Sequence, residues 1–124
     1  MKVVKVIDGY YDFVTKVVFD NGLALESDFN PDCCTYNFLD FEQLHVGREF
    51  PDMNGEEFLA AIVAKEDGFI IKDSSGVPAW VQARSIQNGY YSAGCDLVAT
   101  YQGKEHRVLH EKYGPQQFEG EVRE

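Results

Sequence analysis

The chain has 124 residues, a formal net charge of −10 and a sequence pI near 4.6, with 44% hydrophobic and 26% charged residues. That length predicts one domain, and the composition excludes a disordered chain. No apolar run approaches the roughly 18 residues of a membrane span, and the opening MKVVKVIDGYYD lacks the apolar stretch of about 7–15 residues that a secretory signal carries.

The first strong periodicity is strand-like. Phe13, Thr15, Val17 and Phe19 alternate onto one face. Asp20-Asn21-Gly22 follows, then Leu23–Leu25. Asn-Gly between two such runs predicts a hairpin through a type I′ turn, with positive φ at both central residues. A short helical turn is expected around Leu39–Leu44. Asn54-Gly55-Glu56-Glu57 has the pattern of a capping box, with Asn54 as the N-cap. Beyond it, Phe58, Ala61, Ile62 and Lys65 share a face at helical spacing, while Phe58, Ala60, Ile62 and Ala64 share one at strand spacing. Periodicity therefore leaves 55–65 open between helix and strand.

Three further turns punctuate the second half: Glu66-Asp67-Gly68, Asp73-Ser74-Ser75-Gly76 and Gln102-Gly103. They separate apolar runs at Phe69–Lys72, Val77–Ile86, Leu97–Tyr101 and His106–Leu109. Pro78 predicts either an edge strand or the first residue of a strand. There is no internal repeat, low-complexity tract or linker. Together these signals predict a single β-rich α+β domain over residues 1–113: an antiparallel meander sheet curled into a sandwich or partly open barrel, with one or two short helices. An acidic C-terminal tail follows at 114–124.

Charge is the largest deviation from average. Between Asp20 and Glu57 stand ten acids and one base, Arg48, so this segment carries −9 of the −10. Direct nucleic-acid binding and an anionic membrane surface are disfavoured, because both need clustered Lys and Arg. Asp28, Asp40, Glu42, Glu49, Asp52, Glu56 and Glu57 form the candidate acidic interaction face. Such a face serves solubility, or it steers the protein toward a basic partner.

Three cysteines, Cys33, Cys34 and Cys95, are too few and too odd in number for a secreted disulfide framework, which suggests a reducing cytoplasm. Adjacent Cys33-Cys34 lacks the spaced pairs of a zinc site. His106 and His110, read as lying on a strand, would stand about 13 Å apart. No metal and no cofactor is expected. Acids crowd the Cys33-Cys34 segment and would raise rather than lower a thiol pKa, which argues against a nucleophile. No phosphate-binding loop, dinucleotide fingerprint, zinc-protease helix or serine-nucleophile elbow occurs. The second constellation is Arg84-Ser85-Ile86-Gln87-Asn88-Gly89-Tyr90-Tyr91, where Asn88-Gly89 reads as a tight turn and the paired tyrosines point to opposite faces.

Asp32-Cys33-Cys34-Thr35, the turn Lys72-Asp73-Ser74-Ser75-Gly76, and Arg84–Tyr91 running into Ser92-Ala93-Gly94 occur in that order. In this the chain resembles an uncharacterised family of small bacteriophage and bacterial domains with a DCCS-type motif and an SSNGYYGG-type motif. The resemblance covers about residues 10–100. Thr35 stands where serine is usual, Ile86-Gln87 replaces a serine pair, and Ser92-Ala93-Gly94 replaces Gly-Gly. The resemblance implies a phage or prophage setting and a bacterial cytoplasmic location. It brings no catalytic residue. It also implies that the two motifs meet, with Asp32 or a Cys33/Cys34 backbone group against the Asn88–Tyr91 loop.

The expected function is that of a non-enzymatic accessory protein. It would bind a host protein of basic surface through the acidic face, as an inhibitor or nucleic-acid mimic. The alternatives are a small-ligand binder with a pocket among Asp32, Cys33, Cys34, Arg84, Asn88, Tyr90 and Tyr91, and a self-associating virion component. Homo-oligomerisation is compatible with each.

Overall fold

The structure, a computed structural model, describes residues 1–9, 13–28, 35–65, 68–87 and 95–110. Among these, nine strands and one helix follow in order: β1 (Val3–Asp8), β2 (Val14–Phe19), β3 (Ala24–Asp28), β4 (Thr35–Asp40), α1 (Gly55–Ala61), β5 (Val63–Lys65), β6 (Gly68–Lys72), β7 (Pro78–Gln87), β8 (Cys95–Tyr101) and β9 (Lys104–His110). They build two antiparallel sheets, ordered β1-β2-β3-β8-β9 and β4-β7-β6-β5. The fold is mainly β, with one short helix and no closed barrel, as the turn spacing predicts. The chain runs as a meander through β1–β3 and again through β5–β7. It changes sheet between β3 and β4 and between β7 and β8.

Alternation decides which side chains enter the core. Thr15, Val17 and Phe19 of β2 are buried, and Phe19 joins Val3, Leu25, Leu97 and Ala99 from the first sheet. Leu39, Phe69, Ile71, Ala79 and Val81 come from the second. β4 lies across three successive strands of the first sheet, β8, β3 and β2. The Leu39 N–H donates to Ser27 Oγ at 2.8 Å, and the Phe41 N–H to Val14 O at 2.8 Å. These bonds supply partners for backbone donors that β4 leaves unpaired on its outer edge.

The open side is closed by α1. Asn54 Oδ1 accepts from the Glu57 N–H at 2.8 Å, and Glu57 Oε1 accepts from the Asn54 N–H at 2.9 Å, so the capping box forms as the sequence predicts. Phe58 turns fully inward, its ring 6.5 Å from Phe19. Gly55 permits this docking: a Cβ there would stand 3.0 Å from the His106 ring. The segment left open between helix and strand is both in succession, since α1 stops at Ala61 and β5 starts at Val63.

Two expectations need correction. The hairpin after β2 does not use a type I′ turn. Gly22 has φ +95° but Asn21 is not in the positive region; the Gly22 N–H donates to Phe19 O and the Phe19 N–H to Leu23 O. This is a type I turn followed by a left-handed bulge residue, and Asp73–Val77 repeats it with Gly76 at φ +81°. Asn21 stays out of the left-handed region and spends its amide elsewhere: Nδ2 donates to Asp52 Oδ1 and Met53 O, both at 2.9 Å. The type I′ pattern appears at Gln102-Gly103, with φ of 51° and 80°. Second, residues 39–44 hold no helix. β4 runs to Asp40, and a turn follows in which the Leu44 N–H donates to Phe41 O. Of the two places expected for Pro78, an edge strand or the first residue of a strand, the structure shows the second. β7 is flanked by β4 and β6, and Pro78 opens it, where a missing N–H is harmless. The Glu66-Asp67 turn and the 114–124 tail lie outside the described residues.

Candidate functional site

The acidic segment is a strap fastened along its length. After Phe41 bonds Val14, the Gly47 N–H donates to Val3 O, the Val3 N–H to Arg48 O and the Phe50 N–H to Met1 O, so 47–50 pairs beside the start of β1. Asn21 then holds Asp52 and Met53, and the capping box holds Asn54–Glu57. Glu42, Glu49, Asp52, Glu56 and Glu57 are all exposed along this strap.

Arg48 is the one arginine or lysine within 42–57, and it does not sit among those acids. Its Nε and Nη2 lie 3.0 Å from Asp73 Oδ2, and its Nη1 donates to Gln43 O at 2.9 Å. Nη2 also reaches Val77 O and Pro78 O at 3.4 and 3.3 Å. Both side chains are largely covered, 14% exposed for Arg48 and 12% for Asp73. The Asp73 carboxylate also accepts from the Ser75 and Val77 N–H groups at 2.9 Å. The Val77 bond is the largest influence on its pKa, which is held below the ordinary carboxylate value. Desolvation pushes the other way, and Arg48 and the Ser75 N–H add to the lowering.

Asp40 does not belong to the acidic face. Its side chain is 2% exposed, paired to Arg84 Nε at 2.8 Å, and its Oδ1 accepts from the Glu42 N–H at 3.0 Å. Asp28 closes β3 opposite Asp96, and its side chain lies outside the described residues.

Of the motif residues, Arg84 is described. Asp32, Cys33, Cys34, Asn88, Tyr90 and Tyr91 lie outside the described residues. Their flanks are paired in the two sheets. Thr35 pairs with Gln87 at the end of β4 and β7, and Asp28 pairs with Asp96 at the end of β3 and β8. The 29–34 and 88–94 connections therefore each join the same two strand pairs. Arg84 itself is held on three sides: by Asp40, by Gln82 Oε1 at 2.8 Å from Nη2, and by the Phe13 ring, 4.9 Å from the guanidinium carbon. Phe13 in turn packs on Phe38, with ring centroids 5.2 Å apart.

Of the candidate metal ligands, Cys33 and Cys34 and the side chains of Cys95 and His110 lie outside the described residues. His45 is exposed, His106 is half-buried beside α1, and His106 and His110 share β9. Among the described residues no group of three or more His, Cys, Asp or Glu is placed to hold a metal ion. No described helix is long and apolar enough to cross a membrane. No family model, curated protein or solved structure matches the chain.

Sequence reasoning missed the arginines' roles. Arg48 reaches a partner 25 residues away, and Arg84 one 44 residues away. The available signal was alternation in β7: Ala79 and Val81 are buried, so Trp80, Gln82 and Arg84 share the other face.

Proposed function

We propose that the protein is a non-enzymatic binding protein that docks a partner of basic surface through the acidic strap at 42–57. The observation that supports this is the placement of Arg48. The strap's only arginine or lysine is turned into the Asp73 clasp, so the exposed charge of Glu42, Glu49, Asp52, Glu56 and Glu57 is not neutralised from within. The strap is also fastened at Val3, Met1 and Asn21, so little order is lost when a partner docks. A fixed band of carboxylates steers a basic surface and competes with phosphates for it. The resemblance to phage domains adds the setting: a phage accessory protein in the bacterial cytoplasm, acting on a host protein.

The test reverses charges that hold nothing else. Among the described residues Glu42, Glu49 and Glu56 make no side-chain bond, unlike Asp52 and Glu57. Native mass spectrometry of tagged protein from a bacterial lysate should find a basic protein with the wild type. It should find none with Glu42→Lys/Glu49→Lys/Glu56→Lys. The same partner retained by the variant, or no partner with the wild type, refutes the reading.

A second reading has support in the paired ends of β4 and β7. A small-ligand pocket between the two motif connections predicts a melting shift that grows as RT ln(1 + [L]/Kd). A nucleotide and metabolite panel that leaves the melting point unmoved removes it.

A further inference from the structure

Of the four edges that the two sheets present, three are closed or short. The strap pairs beside the start of β1, where the Gly47 N–H donates to Val3 O. The β4 donors at Leu39 and Phe41 are taken by Ser27 Oγ and Val14 O. β5 has three residues. β9 has seven, it ends the order of the first sheet, and no described strand lies beyond it. α1 docks on the inner face over the Ala99–His106 pair, against which Gly55 lies, so it covers that face and leaves the edge. A strand edge of this length is a template for another strand.

The hairpin fixes which backbone groups β9 turns outward. Tyr101 and Lys104 close the two-residue turn Gln102-Gly103, so they form a hydrogen-bonded pair. The register runs without a shift from there to Cys95 and His110. The N–H and C=O groups of His106 therefore face β8, and those of Glu105 and Arg107 face away. Glu105 and Arg107 share the outer face, where Arg107 Nη2 lies 3.2 Å from Glu105 Oε1 and Nη1 lies 2.6 Å from Asp96 Oδ2. A second β9 running antiparallel can set Glu105 opposite Arg107, Glu105 opposite itself, or Arg107 opposite itself. The first places opposite charges across the seam, and a two-fold axis repeats the pair. The other two set like charges opposite each other, which destabilises a cross-strand pair. Registers shifted toward Leu109 bring no opposite charges together within β9.

We propose that the partner of this edge is a second copy of the chain. Two β9 strands pair antiparallel about a two-fold axis at His106 and continue the first sheet across the dimer. Glu105 of each copy stands opposite Arg107 of the other, and each such pair exchanges both backbone hydrogen bonds. The two His106 residues form the non-hydrogen-bonded pair on the axis, with Cα atoms about 4.5 Å apart. Arg107 keeps Asp96, its neighbour on β8, because the second strand adds from the opposite side. The seam carries Lys104 and Arg107 against Glu105, so it is locally net positive in a chain of formal charge −10. An interface of this length belongs to the small, concentration-dependent class. The dimer does not rest on the partner proposed for the strap, which is a different segment of the chain.

Sedimentation velocity from about 5 µM to about 500 µM should show a reversible monomer–dimer equilibrium, with Kd on the order of 100 µM for so small an interface. The Glu105 side chain is 57% exposed, so Glu105→Arg leaves the fold intact. It sets arginine against arginine at both pairs and should raise Kd at least about tenfold. Cross-linking reads the register, in a background carrying Cys33→Ser and Cys34→Ser. Oxidised His106→Cys should give a disulfide-linked dimer, because Cα atoms about 4.5 Å apart suit that bond. Lys104→Cys should not, because the two 104 positions stand four residues out of step, about 13 Å. If His106→Cys does not fold, Glu105→Cys mixed with Arg107→Cys should cross-link to each other and neither to itself. A chain that stays monomeric to the top concentration, a dimer unmoved by Glu105→Arg, or cross-linking at 104 in preference to 106 would each overturn the proposal.

Discussion

Of the three arginine–aspartate pairs among the described residues, Arg107–Asp96 joins neighbouring strands near the surface, and the other two, which fasten distant parts of the chain, divide their burial differently. In the Arg48–Asp73 pair both partners are covered alike, at 14% and 12% exposure, and every nitrogen of the guanidinium has an acceptor. In the Arg84–Asp40 pair the acid is at 2% and the base at 38%, and among the described residues Nη1 has no acceptor. The first is a closed clasp. It ties the strap beside β1 to the β6–β7 turn, and the Ser74 N–H bonding Glu49 O adds to the same seam. The second is an open bracket, in which a buried acid presents a half-exposed base. Asp73 also keeps two backbone donors of its own, whereas Asp40 has one besides Arg84. How much each acid depends on its arginine is therefore unequal, and substitutions should separate the two pairs.

The largest effect falls on the open bracket. Arg84→Met leaves Asp40 buried with only the Glu42 N–H, and should destabilise by about 3–5 kcal/mol in urea unfolding. Asp40→Leu/Arg84→Met removes both charges and should recover most of that loss, because the buried ion is gone. A double variant as unstable as the single would mean that packing against Phe13, not charge, sets the value of Arg84. Arg48→Met should be milder than Arg84→Met, since Asp73 retains the Ser75 and Val77 N–H bonds. The reverse order would break the comparison.

Acid sharpens it from the other side. Asp73 has a lowered pKa in the folded state, so the stability it contributes is complete above the ordinary carboxylate value near about 3.9. It is lost as pH falls through the lowered folded value. Asp73→Asn cannot titrate there. The stability gap between wild type and Asp73→Asn, measured by urea unfolding from pH 6 downward, should be constant to about pH 4 and shrink below it. A gap that stays constant throughout the acid range would mean that the Val77 and Ser75 bonds serve Asn as well as Asp.

How far these features could be read beforehand follows their sequence distance. The capping box at Asn54–Glu57 closes within four residues, and its pattern is explicit. The inward face of β2 follows from alternation over seven residues. The Asn21 turn was legible as a hairpin but not as a turn type, because the Asn21 amide is engaged by Asp52 and Met53, 31 and 32 residues on. The acidic strap was legible as charge. That Asp40 leaves it and Arg48 turns away from it depends on partners 44 and 25 residues distant.

The smallest expected effect is the sharpest discriminator, because lysine inverts the order that methionine sets. A lysine at 84 still offers a cation to Asp40, and the bracket asks little more of it for folding; Arg84→Lys should stay within about 0.5 kcal/mol of wild type. A lysine at 48 cannot reach Asp73, Gln43 O, Val77 O and Pro78 O together, because one ammonium does not span a guanidinium's fork. Arg48→Lys should therefore be the less stable of the two lysine variants, although Arg48→Met is the more stable of the two methionine variants. That crossing is what a charge requirement at Asp40 and a geometric requirement at Arg48 together demand. Parallel losses in the two series would mean that the pairs are fastened by the same physics.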